Sequence, residues 1–204
     1  MNFKEFREKT KQVPFLQSDL AKLFSVEPQA MRNQLQRWKN KGLIISLKRG
    51  VYLLNQEERT NSISRQVIAA NLYTPSYISL ETALSYYKLI PEKIVSLTSV
   101  TTRKTKTFQN KEGLFIYRHL MKEAYFGFQL MRDEYGFPYF MAEPEKALLD
   151  FLYLNLGSIQ SDNNDYYALS LRLQNRSLLN KKKLTLYAKR YAVKKLLKIV
   201  EKLK

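Results

Sequence analysis

Residues 28–40 read Pro28-Gln29-Ala30-Met31-Arg32-Asn33-Gln34-Leu35-Gln36-Arg37-Trp38-Lys39-Asn40. They run through Lys41-Gly42 into Leu43-Ile44-Ile45-Ser46-Leu47, Lys48-Arg49-Gly50 and Val51-Tyr52-Leu53-Leu54. With residues set about 100° apart around a helix axis, Met31, Leu35 and Trp38 share a narrow arc and predict a face turned to a core. Gln29, Arg32, Asn33, Gln36 and Asn40 share the opposite arc. Proline suits the first position of a helix and glycine its stop, so the helix is expected from Pro28 to about Lys41. The two β-branched and aromatic runs that follow predict a hairpin with Lys48 and Arg49 at a basic tip.

Working back toward the N-terminus, Phe3, Phe6 and Val13 are spaced for one buried helical stripe that Pro14 ends. Ser18 is a suitable N-cap for a second helix carrying Leu20, Leu23 and Phe24, and Ser25-Val26-Glu27-Pro28 is a short turn. Two helices joined by a tight turn and followed at once by a hairpin have the order of a winged helix-turn-helix, expected over residues 1–55. The outward arc of the third helix carries amides and a guanidinium and no acid. Such side chains pair with base edges, Arg with guanine and Asn or Gln with adenine. Gln29, Arg32, Asn33 and Gln36 are therefore candidate base readers. Arg37 or Lys39 would flank them on the backbone, and Lys48 and Arg49 would meet phosphate or the minor groove. A solvated face that happens to be rich in amides has the same composition.

Charge supports a polyanionic partner. The formal net charge is +17, and it is unevenly placed: residues 1–55 hold 11 Lys and Arg against 4 Asp and Glu, residues 56–171 hold 12 against 13, and residues 172–204 hold 12 against 1. A neutral middle between two basic ends suits nucleic acid better than a uniformly solubilised surface, although lysine used for solubility alone is the competing explanation. With no cysteine, disulfides, thiolate metal sites and cysteine nucleophiles are excluded by inventory, and a reducing, cytoplasmic setting is expected. No signal peptide and no membrane span are expected either.

Beyond the polar linker expected at Asn55–Asn61, residues 62–204 read as a second, mixed α/β domain. Helices are expected from Ser62 to Leu72, over Ser79–Tyr87 and from Pro144, and strands over Ile94–Val100, Leu114–Arg118, Phe128–Arg132 and Phe137–Met141. Ser158–Asp165 reads as a polar loop. A basic helix is expected from about Lys183 to the end, with Leu184, Tyr187, Tyr191, Leu196, Val200 and Leu203 as its apolar stripe. That helix suits a surface offered to nucleic acid or an acidic partner, and a membrane-surface helix has a similar pattern. The overall class is α+β. The case for an enzyme is thin, because His119 is the only histidine and no phosphate-cradling glycine loop is present. Glu143 and Glu145 flank Pro144 where acids favour the positive end of a helix, and Ser79 reads as a cap. Tyr86, Tyr87, Tyr125 and Tyr135 are conceivable pocket residues, though aromatics at such positions are more often core.

Three stretches together resemble the AbiEi-type antitoxins and transcriptional regulators of bacterial toxin–antitoxin and phage-abortive systems. They are Leu43 to Tyr52, Tyr77-Ile78-Ser79-Leu80-Glu81-Thr82-Ala83-Leu84, and Ala142-Glu143-Pro144-Glu145-Lys146-Ala147-Leu148-Leu149-Asp150. The resemblance implies a repressor of its own operon that binds promoter repeats in double-stranded DNA through the N-terminal domain. It also implies that the second domain counteracts a nucleotidyltransferase-like toxin. No cofactor and no catalysis are expected of the chain as a whole. Arg32, Gln36, Lys48 and Arg49 inherit the DNA role, and no residue is marked for the toxin. The rivals are a stand-alone repressor that senses a small ligand and an RNA-binding protein that uses the basic tail.

Overall fold

The computed structural model describes residues 2–10, 14–158 and 172–203, with the backbone alone at residues 16–18 and 158. The first unit comprises α1 (Phe3–Lys9), β1 (Phe15–Leu16), α2 (Gln17–Leu23), α3 (Pro28–Asn40), β2 (Ile44–Lys48) and β3 (Val51–Leu54). Asn2 caps α1 by accepting the Glu5 amide at 2.8 Å. Phe6 is fully buried with Phe15, Leu20, Met31, Leu35 and Trp38. Val13, expected on the same stripe, lies outside the described residues. The strands form an antiparallel sheet in the order β1-β3-β2, whose first member is too short to announce itself by alternation.

The hairpin departs from expectation at its tip. A bulge between Ser46 and Lys48 lets the Ser46 hydroxyl donate to the Lys48 carbonyl at 3.1 Å and keeps Lys48 in the strand opposite Val51. The turn is therefore Arg49-Gly50, with Gly50 at φ +78°. Ile44 and Leu54 join the N-terminal core, whereas Leu47, Val51 and Leu53 belong to the core of the second unit. The expected linker is also anchored, because Arg7 pairs with Glu58 at 3.3 Å and Arg59 with Glu112 at 3.6 Å. A polar composition here reflects ion pairs across the junction rather than a free tether.

The second unit is a six-stranded mixed sheet in the order β6-β7-β5-β4-β9-β8, built from β4 (Ser76–Ile78), β5 (Leu97–Thr101), β6 (Lys106–Asn110), β7 (Gly113–His119), β8 (Phe128–Arg132) and β9 (Pro138–Ala142). β4/β9 and β5/β7 run parallel. α4 (Arg65–Leu72) lies on one face, where the Tyr117 hydroxyl donates to the Ala69 carbonyl at 2.7 Å. α5 (Leu80–Tyr86) and α6 (Pro144–Leu154) cover the other, and α7 (Lys181–Arg190) and α8 (Lys194–Leu203) pack onto α6. The chain is thus mixed α+β. The expected single basic helix is two helices, because Ala192 takes φ +53° and turns the chain between them. Among the described residues no helix is long and apolar enough to cross a membrane. The expected loop at Ser158–Asp165 falls almost wholly outside the described residues.

Ser79 is not the side-chain cap it was expected to be. Its hydroxyl turns inward and donates to Asp150 at 2.8 Å, and Thr98 of β5 takes over the capping task by accepting the Thr82 amide at 3.1 Å. Asp150 is fully buried and also accepts from the Tyr77 hydroxyl at 2.9 Å, the Tyr191 hydroxyl at 2.6 Å and the Lys146 ammonium one turn earlier on α6. Burial, and then the Asp150 charge, push both phenols well above their ordinary range, so they stay protonated and donate. Burial draws Lys146 below its usual value, partly offset by the Asp150 charge and hydrogen bond.

One carboxylate thereby ties β4, the β4–α5 turn, α6 and the end of α7, including Leu80, which sits at φ +59°. Asp150→Ala strands a buried cation and three donors, and should cost about 3 to 5 kcal/mol in urea unfolding. Glu5→Ala removes an exposed α1 pair to Lys9 and should shift stability by less than about 0.5 kcal/mol. Equal losses for the two would contradict this assignment.

Candidate nucleic-acid interface

α3 is rotated by what it buries. Trp38 is 4% exposed and sits with its ring 4.3 Å from Phe6 and 5.3 Å from Phe3, while Leu35 and Met31 are fully buried one and two turns earlier. With that stripe fixed, Gln29, Arg32, Asn33, Gln36, Arg37, Lys39 and Asn40 are all exposed on the remaining surface. Pro28 begins the helix, and the amide of Leu43 closes its end on the Trp38 carbonyl at 3.0 Å. The turn from α2 is equally tight, because the Val26 amide returns to the Ala21 carbonyl at 3.0 Å.

The exposed amides are ordered in pairs one turn apart. Gln29 Nε2 donates to Asn33 Oδ1 at 3.1 Å, and Gln36 Nε2 donates to Asn40 Oδ1 at 2.9 Å. Each pair leaves one amide carbonyl and one amide NH2 uncommitted within it, the donor and acceptor set that an adenine edge requires. Arg32 lies between the pairs, and no acidic side chain occupies α3.

The hairpin is anchored to the end of α3, since Asn55 Nδ2 donates to the Gly42 carbonyl at 2.8 Å. Its two cations have different surroundings. Arg49 is exposed at the turn, but Lys48 is half-buried, with Nζ 5.5 Å from the centre of the Tyr73 ring and 5.3 Å from that of Phe108. Burial first, and then the nearby Arg103 charge, lower the Lys48 pKa. The Arg103 guanidinium carbon lies 4.5 Å from the same Tyr73 ring, and Lys104 and Lys106 follow it, all three exposed. Averaged over residues 56–171 the charge is close to neutral, which hides these residues. A shorter window would have isolated Arg103-Lys104-Thr105-Lys106.

Elsewhere the groups considered for chemistry are structural in their contacts. His119 is exposed at the end of β7, with Nδ1 2.9 Å from the Arg103 carbonyl. Glu143 accepts from Lys183 at 2.8 Å and from the Tyr187 hydroxyl at 2.6 Å. Burial alone would raise the Glu143 pKa, and these two partners outweigh it and lower it. Glu145, 4% exposed, accepts the Asn180 amide at 2.7 Å. The two acids therefore hold the start of α7 more than they serve the dipole of α6. Among the described residues no group of three or more His, Asp or Glu is placed to hold a metal ion. A cavity of about 850 Å³ opens between α4 and the β8–β9 hairpin. Tyr125 and Tyr139 line it, and of the four tyrosines raised from the sequence only Tyr125 takes part. No protein-family model matches the chain, and no curated protein matches it.

The two faces of α3 should separate by substitution. Trp38→Ala should lower unfolding stability by about 3 to 5 kcal/mol through lost burial and the cavity left behind. Gln36→Ala on the outer face should change it by less than about 0.5 kcal/mol. Thermal or denaturant melts of both variants measure the difference.

Proposed function

We propose that the chain is a sequence-reading regulator that binds double-stranded DNA through residues 1–55, used as a winged helix-turn-helix with α3 as its recognition helix. The observation that carries this is the exposed, acid-free amide and guanidinium face of α3, held opposite a buried tryptophan. An exposed helix chosen for solubility is ordinarily mixed in sign, with acids paired to lysines one turn away, and α3 has none. The order of a tight α2–α3 turn followed by a hairpin fixed to the end of α3 supports the same docking, recognition helix in the major groove and hairpin on the backbone. Arg32 and the two amide pairs then read bases, Arg37 contacts phosphate, and Arg49 reaches the backbone from the hairpin turn.

For residues 62–204 we propose the role that the AbiEi-type resemblance implies: the protein represses its own operon and counteracts a nucleotidyltransferase-like toxin. The cavity beside α4 favours a second reading, a repressor that senses a small apolar ligand, because its volume suits a small molecule and its lining is mainly Val67, Ala70, Tyr125, Phe128, Leu130 and Phe140. The genes distinguish them. A neighbouring nucleotidyltransferase-like gene whose toxicity the full-length chain relieves on co-expression supports the antitoxin, and relief should survive Arg32→Ala/Gln36→Ala if neutralisation is independent of DNA.

Base reading is tested by selecting duplexes from a random pool and titrating variants against the winner. Arg32→Ala or Gln36→Ala should cost roughly 1 to 3 kcal/mol on that duplex and flatten the preference over others. Arg49→Ala should weaken all duplexes alike and reduce the slope of log K against log salt by about 0.9. Unchanged binding by all three variants would exclude this docking.

A further inference from the structure

We propose that the loop between β5 and β6 is a second phosphate-binding element, and that Arg103, Lys104 and Lys106 grip the backbone of the same duplex that α3 reads. This rests on the DNA-binding reading above and extends it to a part of the chain outside residues 1–55.

The first observation is that the hairpin and this loop form one surface. Asn110 of β6 donates to the Leu47 carbonyl of β2 at 3.0 Å, and Lys48 reaches across to the Tyr73 and Phe108 rings. Arg103 lies over that same Tyr73 ring and donates to the Thr74 carbonyl at 3.2 Å, while the Tyr73 hydroxyl donates to the Lys104 carbonyl at 3.2 Å. The loop is therefore held by aromatic stacking and backbone bonds, and its orientation toward the hairpin is set in the free protein.

The second observation is electrostatic. Lys48 and Arg103 are gathered over the same Tyr73 ring, where the Arg103 charge adds to burial in lowering the Lys48 pKa, and Lys104 and Lys106 are exposed in the same loop and strand. Among the described residues none of the four takes part in an ion pair. The nearest acid along β6–β7, Glu112, is committed to Arg59. Like charges gathered on an aromatic platform without an acid are unfavourable alone and favourable once a polyanion lies across them. With Arg49 at the adjoining turn, the five cations make a strip that continues the hairpin's edge. A strip of this kind suits regularly spaced backbone phosphates and carries no base-edge chemistry of its own, so it adds affinity and footprint without changing which sequence is preferred.

The test uses the full-length protein and a duplex of roughly forty base pairs, longer than one recognition helix covers. Lys104→Gln/Lys106→Gln changes two exposed side chains that make no hydrogen bond or ion pair, so its melting temperature should match wild type. It should reduce the slope of log K against log salt by about 2, weaken binding roughly ten-fold or more, shorten the hydroxyl-radical footprint at one end and preserve the rank order of sequences. Lys88→Gln/Lys93→Gln, exposed residues with the same loss of charge, should leave slope and footprint unchanged. Equal effects of the two pairs would reduce the result to net charge and overturn the proposal. So would a wild-type slope and footprint for Lys104→Gln/Lys106→Gln while Arg32→Ala still loses preference, and base reading by α3 would then stand alone. Failure of the wild type to bind any duplex at low salt would overturn both.

Discussion

The burial of Trp38 beneath Phe3 and Phe6 is the constraint on which the N-terminal surface depends. A helix has one rotational degree of freedom about its axis, and a stripe of Met31, Leu35 and Trp38 removes it, because turning the helix by even a quarter would expose a large aromatic surface to water. What remains outside is decided by subtraction. Gln29, Arg32, Asn33, Gln36 and Asn40 face solvent because they lie on the side of the helix opposite the buried stripe. The amide pairs then restrict the outer side chains as well, so a partner meets groups that are already partly ordered.

The same logic, carried by a charge rather than an indole, organises the second unit. A carboxylate with no exposure must have every lone pair engaged, and Asp150 collects donors from β4, the β4–α5 turn, α6 and the end of α7. This explains the stretch Ala142–Asp150 residue by residue. Glu143 and Glu145 hold the start of α7, Lys146 and Asp150 are one turn apart inside the core, and Ala147, Leu148 and Leu149 fill the space around them. A sequence so heavily charged and yet so buried is legible only when its partners, 35 to 73 positions away, are known.

Local signals announced most elements, and non-local ones escaped. α3, the β2–β3 hairpin and α6 were readable because periodicity, Pro28, Pro144 and Gly42 mark them within a few residues. β1, β4 and β6 were not, since each is short or polar and becomes a strand only through its neighbour: β4 lies between β5 and β9, and β6 shows Lys106, Thr107 and Gln109 to solvent. Ser79 looked like a cap because its sequence position is that of one, and the acceptor that diverts it lies on α6. Lys48 looked like a hairpin tip because the bulge that returns it to the strand, and the rings of Tyr73 and Phe108 that receive its ammonium, leave no mark in residues 43–54. Of the candidate interface, the α3 face was read in full from residues 28–40, whereas Arg103, Lys104 and Lys106 belong to it only through the junction of the two units.

Base reading requires the outward side chains of α3 to touch base edges. An NMR titration that follows the side-chain NH2 resonances of Gln29, Asn33, Gln36 and Asn40 tests it most directly, with a selected duplex and with heparin as a polyanion lacking bases. Base contact should give large, saturable shifts in these signals on duplex addition and small ones with heparin. Resonances that stay in place as the duplex binds, or that move equally with both polyanions, would contradict it.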